Sequence, residues 1–488
     1  MNKRIWTIFI LILSIITFIL GILIQNMNVA LVGIVLLIFY NVIISFFDIK
    51  NRMVFLVFNI TFFVLNVGGN FFSMLLGKDW SNGFSNEVLQ STLLIIYLGI
   101  FTLLIGAFLF ELRKKHKTEA KKEGKKPILK PVNIEYVRKF SKIFFIITVC
   151  LASVITIEKL IFVQQNGYVS LYTGFHSIFP SFLKKIADTN LIFFLIYICT
   201  FPSKKETLIA IGIYGVYLAL TLFTGVRGTA VVAVLMILIY LVYRQSYNKE
   251  EKYFTKKTIP FLAICAIVFI VFLGAYNTLR NGMKIENFNF FEQFVQFFVD
   301  QNTTGKVISY VEEYKDQLPD TNVSYTFGPF ISYVRQGTIA QILGIDGTHM
   351  KFNTEEMALY GNDLGSTISY LVLGEQYLNG FGIGTQYMAE VYADFSYWGV
   401  MIYNLLLGMI LMALTNIRKE NWIGMTYSFF IISMVIYLPR QPALAWVVNL
   451  LSIPNILSII LIYLLAFFYS KKSKMLEMEQ LNEDSLDH

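Results

Sequence analysis

Apolar runs long enough to cross a bilayer dominate the chain. A helix needs about 20 residues to span roughly 30 Å of hydrocarbon. A window of that length marks twelve segments as membrane spans: 5–25, 28–47, 53–76, 88–112, 140–163, 181–201, 207–223, 228–243, 259–276, 387–415, 423–438 and 453–469. The segment 181–201 differs from the others in carrying Lys184, Lys185 and Asp188 near its start. The pattern changes over 277–386, which is mixed, polar and rich in turn residues. Irregular chain of that extent must lie outside the hydrocarbon or around a protected cavity, and its many aromatic residues argue against disorder. The predicted fold is an all-α polytopic membrane protein of about twelve transmembrane helices. Residues 1–112 hold four of them, 113–139 form a basic loop, and 140–276 hold five more. One large loop follows over 277–386, then three spans over 387–470 and a charged tail over 471–488.

Composition excludes a soluble enzyme with a single anchor. The 488 residues are 56% hydrophobic and 16% aromatic, with a mean hydropathy of +0.60; soluble domains are markedly less apolar. The first span is too long, and lacks the small-residue cleavage site, to read as a removed signal peptide. Cys150, Cys199 and Cys265 lie far apart inside apolar segments and read as small buried hydrophobes. A net charge of +8 invites a nucleic-acid partner, but the basic residues cluster at span ends on one side. They include Lys3 and Arg4, Lys50 and Arg52, the run from Arg113 to Lys142, Lys204 and Lys205, the segment 244–257, Arg418 and Lys419, and Lys471 to Lys474. The positive-inside bias therefore predicts a plasma-membrane protein with both termini cytoplasmic and the 277–386 loop outside. The Lys-rich 113–139 segment reads as a solvated loop that fixes topology, with anionic lipid headgroups as its possible contacts.

Chemistry concentrates on the predicted outer face. The 277–386 loop holds twelve Asp and Glu against six Lys and Arg. Four arginines stand on that face against the topological bias: Arg227 in Thr224-Gly-Val-Arg-Gly228, Arg280 just past the ninth span, Arg335 in the loop and Arg440 in Leu438-Pro-Arg-Gln-Pro442. Guanidinium presents a fixed fork of donors that matches phosphate oxygens; the alternative duty for each is snorkelling to headgroups or pairing with a loop acid. In the tenth span Glu390 and Asp394 are four residues apart, hence on one helix face, behind glycines 380, 382 and 384. Intramembrane carboxylates are costly and point to function, or else to a structural pair with arginine or tyrosine. Glu375 and His349 add two more groups able to move a proton, while Asp363 reads as a cap for the helix that follows. Tyr325, Tyr377 and Tyr392 offer flat faces of the kind that stack on sugar rings. No metal-ligand spacing, nucleotide fingerprint or hydrolase elbow stands in the chain, so neither a metal nor a cofactor is expected.

Two motifs and this outline together resemble the Wzy-type polymerases of O-antigen and capsule repeat units. Thr224-Gly-Val-Arg-Gly228 opens a hydrophobic span, and Gly380-Phe-Gly-Ile-Gly384 runs into Ala389-Glu-Val-Tyr-Ala-Asp-Phe395 with Gly399. The resemblance implies a metal-independent membrane glycosyltransferase of GT-C type acting on oligosaccharide repeat units carried by a polyprenyl diphosphate, undecaprenyl in bacteria. Arg227, with Arg280, Arg335 and Arg440, would grip the diphosphate, and Glu390, Asp394, Glu375 or His349 would serve as base or orient the sugar. Its partners would be lipid-linked oligosaccharides and membrane lipids, together with the chain-length regulator and flippase of the same pathway, and no nucleic acid. Two departures stand out. The paired Arg-x10-Gly loop motif of some members fails, since positions 238, 291 and 346 are Leu238, Phe291 and Asp346, and Ser396 stands where a second glycine is expected. Two rival readings are a ligase that moves finished polymer and a lipid-linked oligosaccharide flippase, although transporters tend to show two related halves and short outer loops.

Overall fold

The computed structural model describes residues 3–119, 132–168, 170–248, 250–255, 257–280, 288–319, 324–336, 344, 350–417 and 421–486. Among them the regular structure is helical, with no strand. Among the described residues, nine helices are long and apolar enough to cross a membrane: Ile5–Leu23, Met27–Phe47, Ile49–Leu75, Asn86–Lys114, Ile134–Asn166, Lys204–Phe223, Arg227–Tyr247, Tyr387–Leu414 and Ala445–Ser473. These account for nine of the twelve predicted spans. Two of the rest form shorter apolar helices, Pro260–Tyr276 and Trp422–Val435. The third, 181–201, breaks at Thr189 into Ser181–Asp188 and Asn190–Cys199. The break follows the sequence: the charged half is amphipathic and half exposed, and only the second half is continuously apolar and buried.

The chain divides into two compact units. The first comprises Met1–Lys117, Leu238–Asn416 and Ile432–Val448. It opens with a helical hairpin turned at Gln25, whose φ is +53°, and capped by Asn26, whose side chain accepts from the N–H groups of Asn28 and Val29. Buried Asn41 donates to Asn59 Oδ1 at 2.9 Å, tying the second span to the third. Arg52 forms a two-pronged bond to Glu111 at 2.8 and 2.7 Å, clamping the third span to the fourth at one end. Such a forked pair fixes both position and orientation. The fourth span and the Tyr387–Leu414 helix meet backbone to backbone. A side chain on Gly106 would begin 2.0 Å from Leu405 O, and one on Gly408 would begin 2.1 Å from Leu103 O. Small residues at facing positions permit this approach in a membrane, where close packing replaces the hydrophobic drive.

The third span carries an irregularity. It runs as α-helix from Ile49 to Phe62, loosens into a π turn over Phe63–Val67, then resumes over Gly68–Leu75. Residues read from sequence as one long loop fold as helices against this turn. Phe290–Gln301 packs through Phe298, whose ring lies 4.6 Å from that of Phe72 and 6.1 Å from that of Phe63. Burying a phenylalanine of this kind stabilises by roughly 1.5–3 kcal/mol. Thr303–Glu313 follows, with Ser309 hydrogen-bonded to Thr92 of the fourth span at 3.0 Å. Asp363 caps Leu364–Leu373 by accepting from Ser366 N–H, as its position predicts.

The second unit comprises Thr118–Ile237, Ile417–Ile431 and Asn449–His488. Its centre is the helix Ile134–Asn166, started by Asn133, whose side chain accepts from Glu135 N–H. Arg138 on this helix donates to the carbonyls of Thr200 and Phe201. Aromatic rings fill the middle: Phe144 stacks on Phe193, and Phe194 on Tyr214 with centroids 4.4 Å apart. Ser203 and Glu206 form a reciprocal capping box that starts Lys204–Phe223.

Candidate active site

The first unit brings a carboxylate and an arginine onto one scaffold. Glycines admit the chain to the Tyr387 helix, with Gly380 and Gly384 at φ +97° and +84°, a region open to glycine at little cost. Gln386 then caps the helix, its side-chain oxygen accepting from Ala389 N–H at 2.8 Å. Glu390 stands in the first turn and is 1% exposed. Thr385 Oγ1 donates to its Oε1 and Ala443 N–H to its Oε2, both at 2.7 Å. A carboxylate has roughly four acceptor positions, so these two bonds leave others to spare.

Ala443 is fastened twice to the same helix, because its carbonyl accepts from Tyr403 Oη–H. The segment leading to it, Leu438–Arg440, is a single 3-10 turn shaped by Pro439. It is anchored further by Thr61 Oγ1, which donates to Ile436 O at 2.7 Å, and by Asn66 of the π turn, which reaches Pro439 O at 3.4 Å. Arg440 therefore projects from a rigid turn three residues before the Glu390 ligand. Its Nη1 donates to Gln301 Oε1 at 3.0 Å, a neutral partner that leaves the charge uncompensated by that bond. Nearby amide groups keep unused capacity: Gln386 Nε2, Gln441 Oε1 and Asn66 Oδ1 are buried without hydrogen-bond partners. Buried polar atoms in that condition call for an explanation such as a ligand.

The other predicted residues fall in different places. Asp394 accepts from Ser324 Oγ at 3.0 Å and from the N–H groups of Tyr325 and Thr326 at 3.1 and 2.7 Å, so it holds the turn that opens Gly328–Gln336. Glu390 and Asp394 share a helix but serve different elements. Glu375 and Arg335 are exposed. Tyr377 is 2% and Tyr325 5% exposed, so their ring faces are spent on the core of the folded loop. Tyr392 donates to Glu312 Oε2 at 2.6 Å. His349 and the side chain of Arg280 lie outside the described residues. Arg227 begins the helix Arg227–Tyr247 and belongs to the second unit. There Gly225, at φ +89°, lies so close to the ring of Tyr168 that a Cβ would meet it at 2.4 Å.

Sequence reasoning missed Thr385, Ala443, Gln301 and Asn66. Only Asn66 left a trace, as an amide inside an apolar span.

No significant match exists among curated proteins or solved structures. A family model, O-antigen polysaccharide polymerase Wzy, matches residues 6–473. That span covers most of both units and every element of the Glu390 site. With its series of membrane-spanning helices, the chain belongs to the Wzy family of O-antigen polysaccharide polymerases.

Proposed function

We propose that the protein lengthens a surface polysaccharide by glycosyl transfer between lipid-linked oligosaccharides, releasing polyprenyl diphosphate, in the bacterial plasma membrane. Both termini are cytoplasmic and residues 277–386 lie outside. A hydroxyl of one lipid-linked unit attacks the anomeric carbon of another chain. The carbon–oxygen bond to the diphosphate breaks, and that group leaves with the electron pair. Glu390 takes the proton of the attacking hydroxyl, and Arg440 offsets the charge developing on the diphosphate. Family membership carries the class of reaction. The observation that carries the site is the double fastening of Ala443, which sets Glu390 and Arg440 on one rigid frame. Asp394 is the weaker candidate for base because three donors already occupy it. Arg227, in the second unit, is proposed in its own right as a phosphate-binding residue, on the strength of its glycine-flanked turn.

Complementing a deletion strain with variants tests this reading. Glu390→Gln, Arg440→Ala and Arg227→Ala should each abolish long polymer while single-repeat glycolipid and protein level persist. Normal-length polymer from Glu390→Gln would remove that residue from catalysis. Long unattached chains in the deletion strain would indicate a ligase instead.

A further inference from the structure

A cavity opens in the first unit. It measures about 470 Å³ and lies among the end of the third span, the 76–82 loop and the helices Phe290–Gln301 and Thr303–Glu313. That volume falls within the roughly 300–1,000 Å³ of small-molecule sites. Its lining is unusual for a membrane protein: Asn70, Asn82, Asn289, Gln296 and Asn302 all contribute amides. Each amide offers both donors and acceptors, which complements hydroxyl groups that donate one bond and accept two. Asn302 is 3% exposed, and its Oδ1 has no partner while its Nδ2 is held by Asn70.

Two cations complete the lining, Lys78 at the exposed rim and Lys306 deeper in. Lys306 is half-buried, and among the described residues no carboxylate forms an ion pair with it. Burial pushes its pKa below the ordinary lysine value. The cavity's own acids argue against a diphosphate there. Asp79, held by Ser81 N–H and Oγ–H, and Glu292 balance Lys78 and Lys306, so the lining lacks the excess positive charge that a diphosphate needs.

We propose that this cavity is a sugar-binding subsite for an acidic monosaccharide unit, with the amides taking its hydroxyls and Lys306 its carboxylate. The inference rests on the polymerase reading, for it gives the substrate at that site a chemical class. It also fits the chain, because Gln301, which holds Arg440, precedes Asn302 directly. The sugar would thus be gripped one residue from the anchor of the diphosphate arginine.

Saturation-transfer NMR on the full-length protein in nanodiscs reads binding without any need for polymerisation. The acidic probes are glucuronate, galacturonate and N-acetylneuraminate; the neutral ones are glucose, galactose and N-acetylglucosamine. At least one acidic sugar should bind about tenfold more tightly than its neutral counterparts, as expected for one charge-assisted bond. Lys306→Gln should remove that advantage, and Lys306→Arg should keep most of it. Equal binding of acidic and neutral sugars, or no sugar signal at all, would overturn the proposal. So would a Lys306→Gln variant that loses inorganic pyrophosphate and keeps acidic sugars, since the lysine would then serve the diphosphate. Should Lys306→Gln fail to fold, Asn82→Trp at the exposed rim replaces it, and undiminished acidic-sugar binding in that variant is the contrary result. Acidic-sugar binding that survives in the full chain, beside normal polymer from Glu390→Gln, would sink the catalytic assignment and leave the subsite standing.

Discussion

Glu390 and Asp394 show how far residue type and spacing carry an argument. Both are carboxylates in a membrane-spanning helix, one turn apart, and sequence could not rank them. Their neighbours do: Asp394 binds three donors from a turn about seventy positions back, whereas Glu390 joins a site with open acceptors. Neither partner set is local enough to see in a linear reading, since Ala443 lies 53 positions from Glu390. Ser396 is the opposite case, a residue whose oddity the sequence already showed. It sits inside the Tyr387 helix at φ +54°, ψ −155°, where the helix kinks. That backbone region belongs to glycine and costs other residues roughly 1–3 kcal/mol. The glycine expected there by resemblance has a physical reason. Replacing the serine, Ser396→Gly, should raise the thermal midpoint in detergent by about 1–2 °C without loss of polymer. A lower midpoint would show that the serine hydroxyl contributes more than the strain removes.

At the scale of elements, long helices were legible because length and hydropathy alone specify them. Departures from regularity were harder to read. The π turn at Phe63–Val67 is a change of hydrogen-bond register, which composition does not encode. The break at Thr189 left a clearer sign in the preceding lysines. The helices within 277–386 were hidden by their mixed composition, although each has the apolar face that packing needs. Contacts between elements are also open to test. The facing pair Gly106 and Gly408 leaves no room for a side chain against the carbonyls of Leu405 and Leu103. Gly408→Val should cost about 1–3 kcal/mol, the usual range for overpacking. It should lower both the thermal midpoint and the yield of membrane-inserted protein, whereas Gly212→Ala, where a Cβ meets nothing within 4 Å, should leave both unchanged. Equal behaviour of the two variants would mean that the helices separate more readily than their packing implies.

For the whole molecule, the outline of a polytopic helical protein followed from hydropathy and the distribution of lysine and arginine. The two compact units did not, because each is assembled from stretches distant in sequence. The proposed orientation makes a direct prediction. Asn82→Cys, in the exposed 76–85 loop, should react with a membrane-impermeant maleimide added to intact cells; Lys252→Cys, beyond the Arg227–Tyr247 helix, should react only after permeabilisation. The reverse pattern would invert the topology and place the Glu390 site on the cytoplasmic side. Both variants belong in a background lacking Cys150, Cys199 and Cys265, of which the first and last are exposed.

Ala443 contributes no side-chain chemistry, yet its amide reads the carboxylate and its carbonyl reads a tyrosine of the same helix. The separation between the proposed base and the proposed diphosphate ligand is therefore written into three peptide units, not into flexible side chains. The turn acts as a caliper of fixed gauge. Sugars of different size and stereochemistry could be admitted by changing the surfaces around it while the distance from nucleophile to leaving group stayed constant. On this view a family can diverge widely in sequence as its glycans diversify, provided that the gauge is kept.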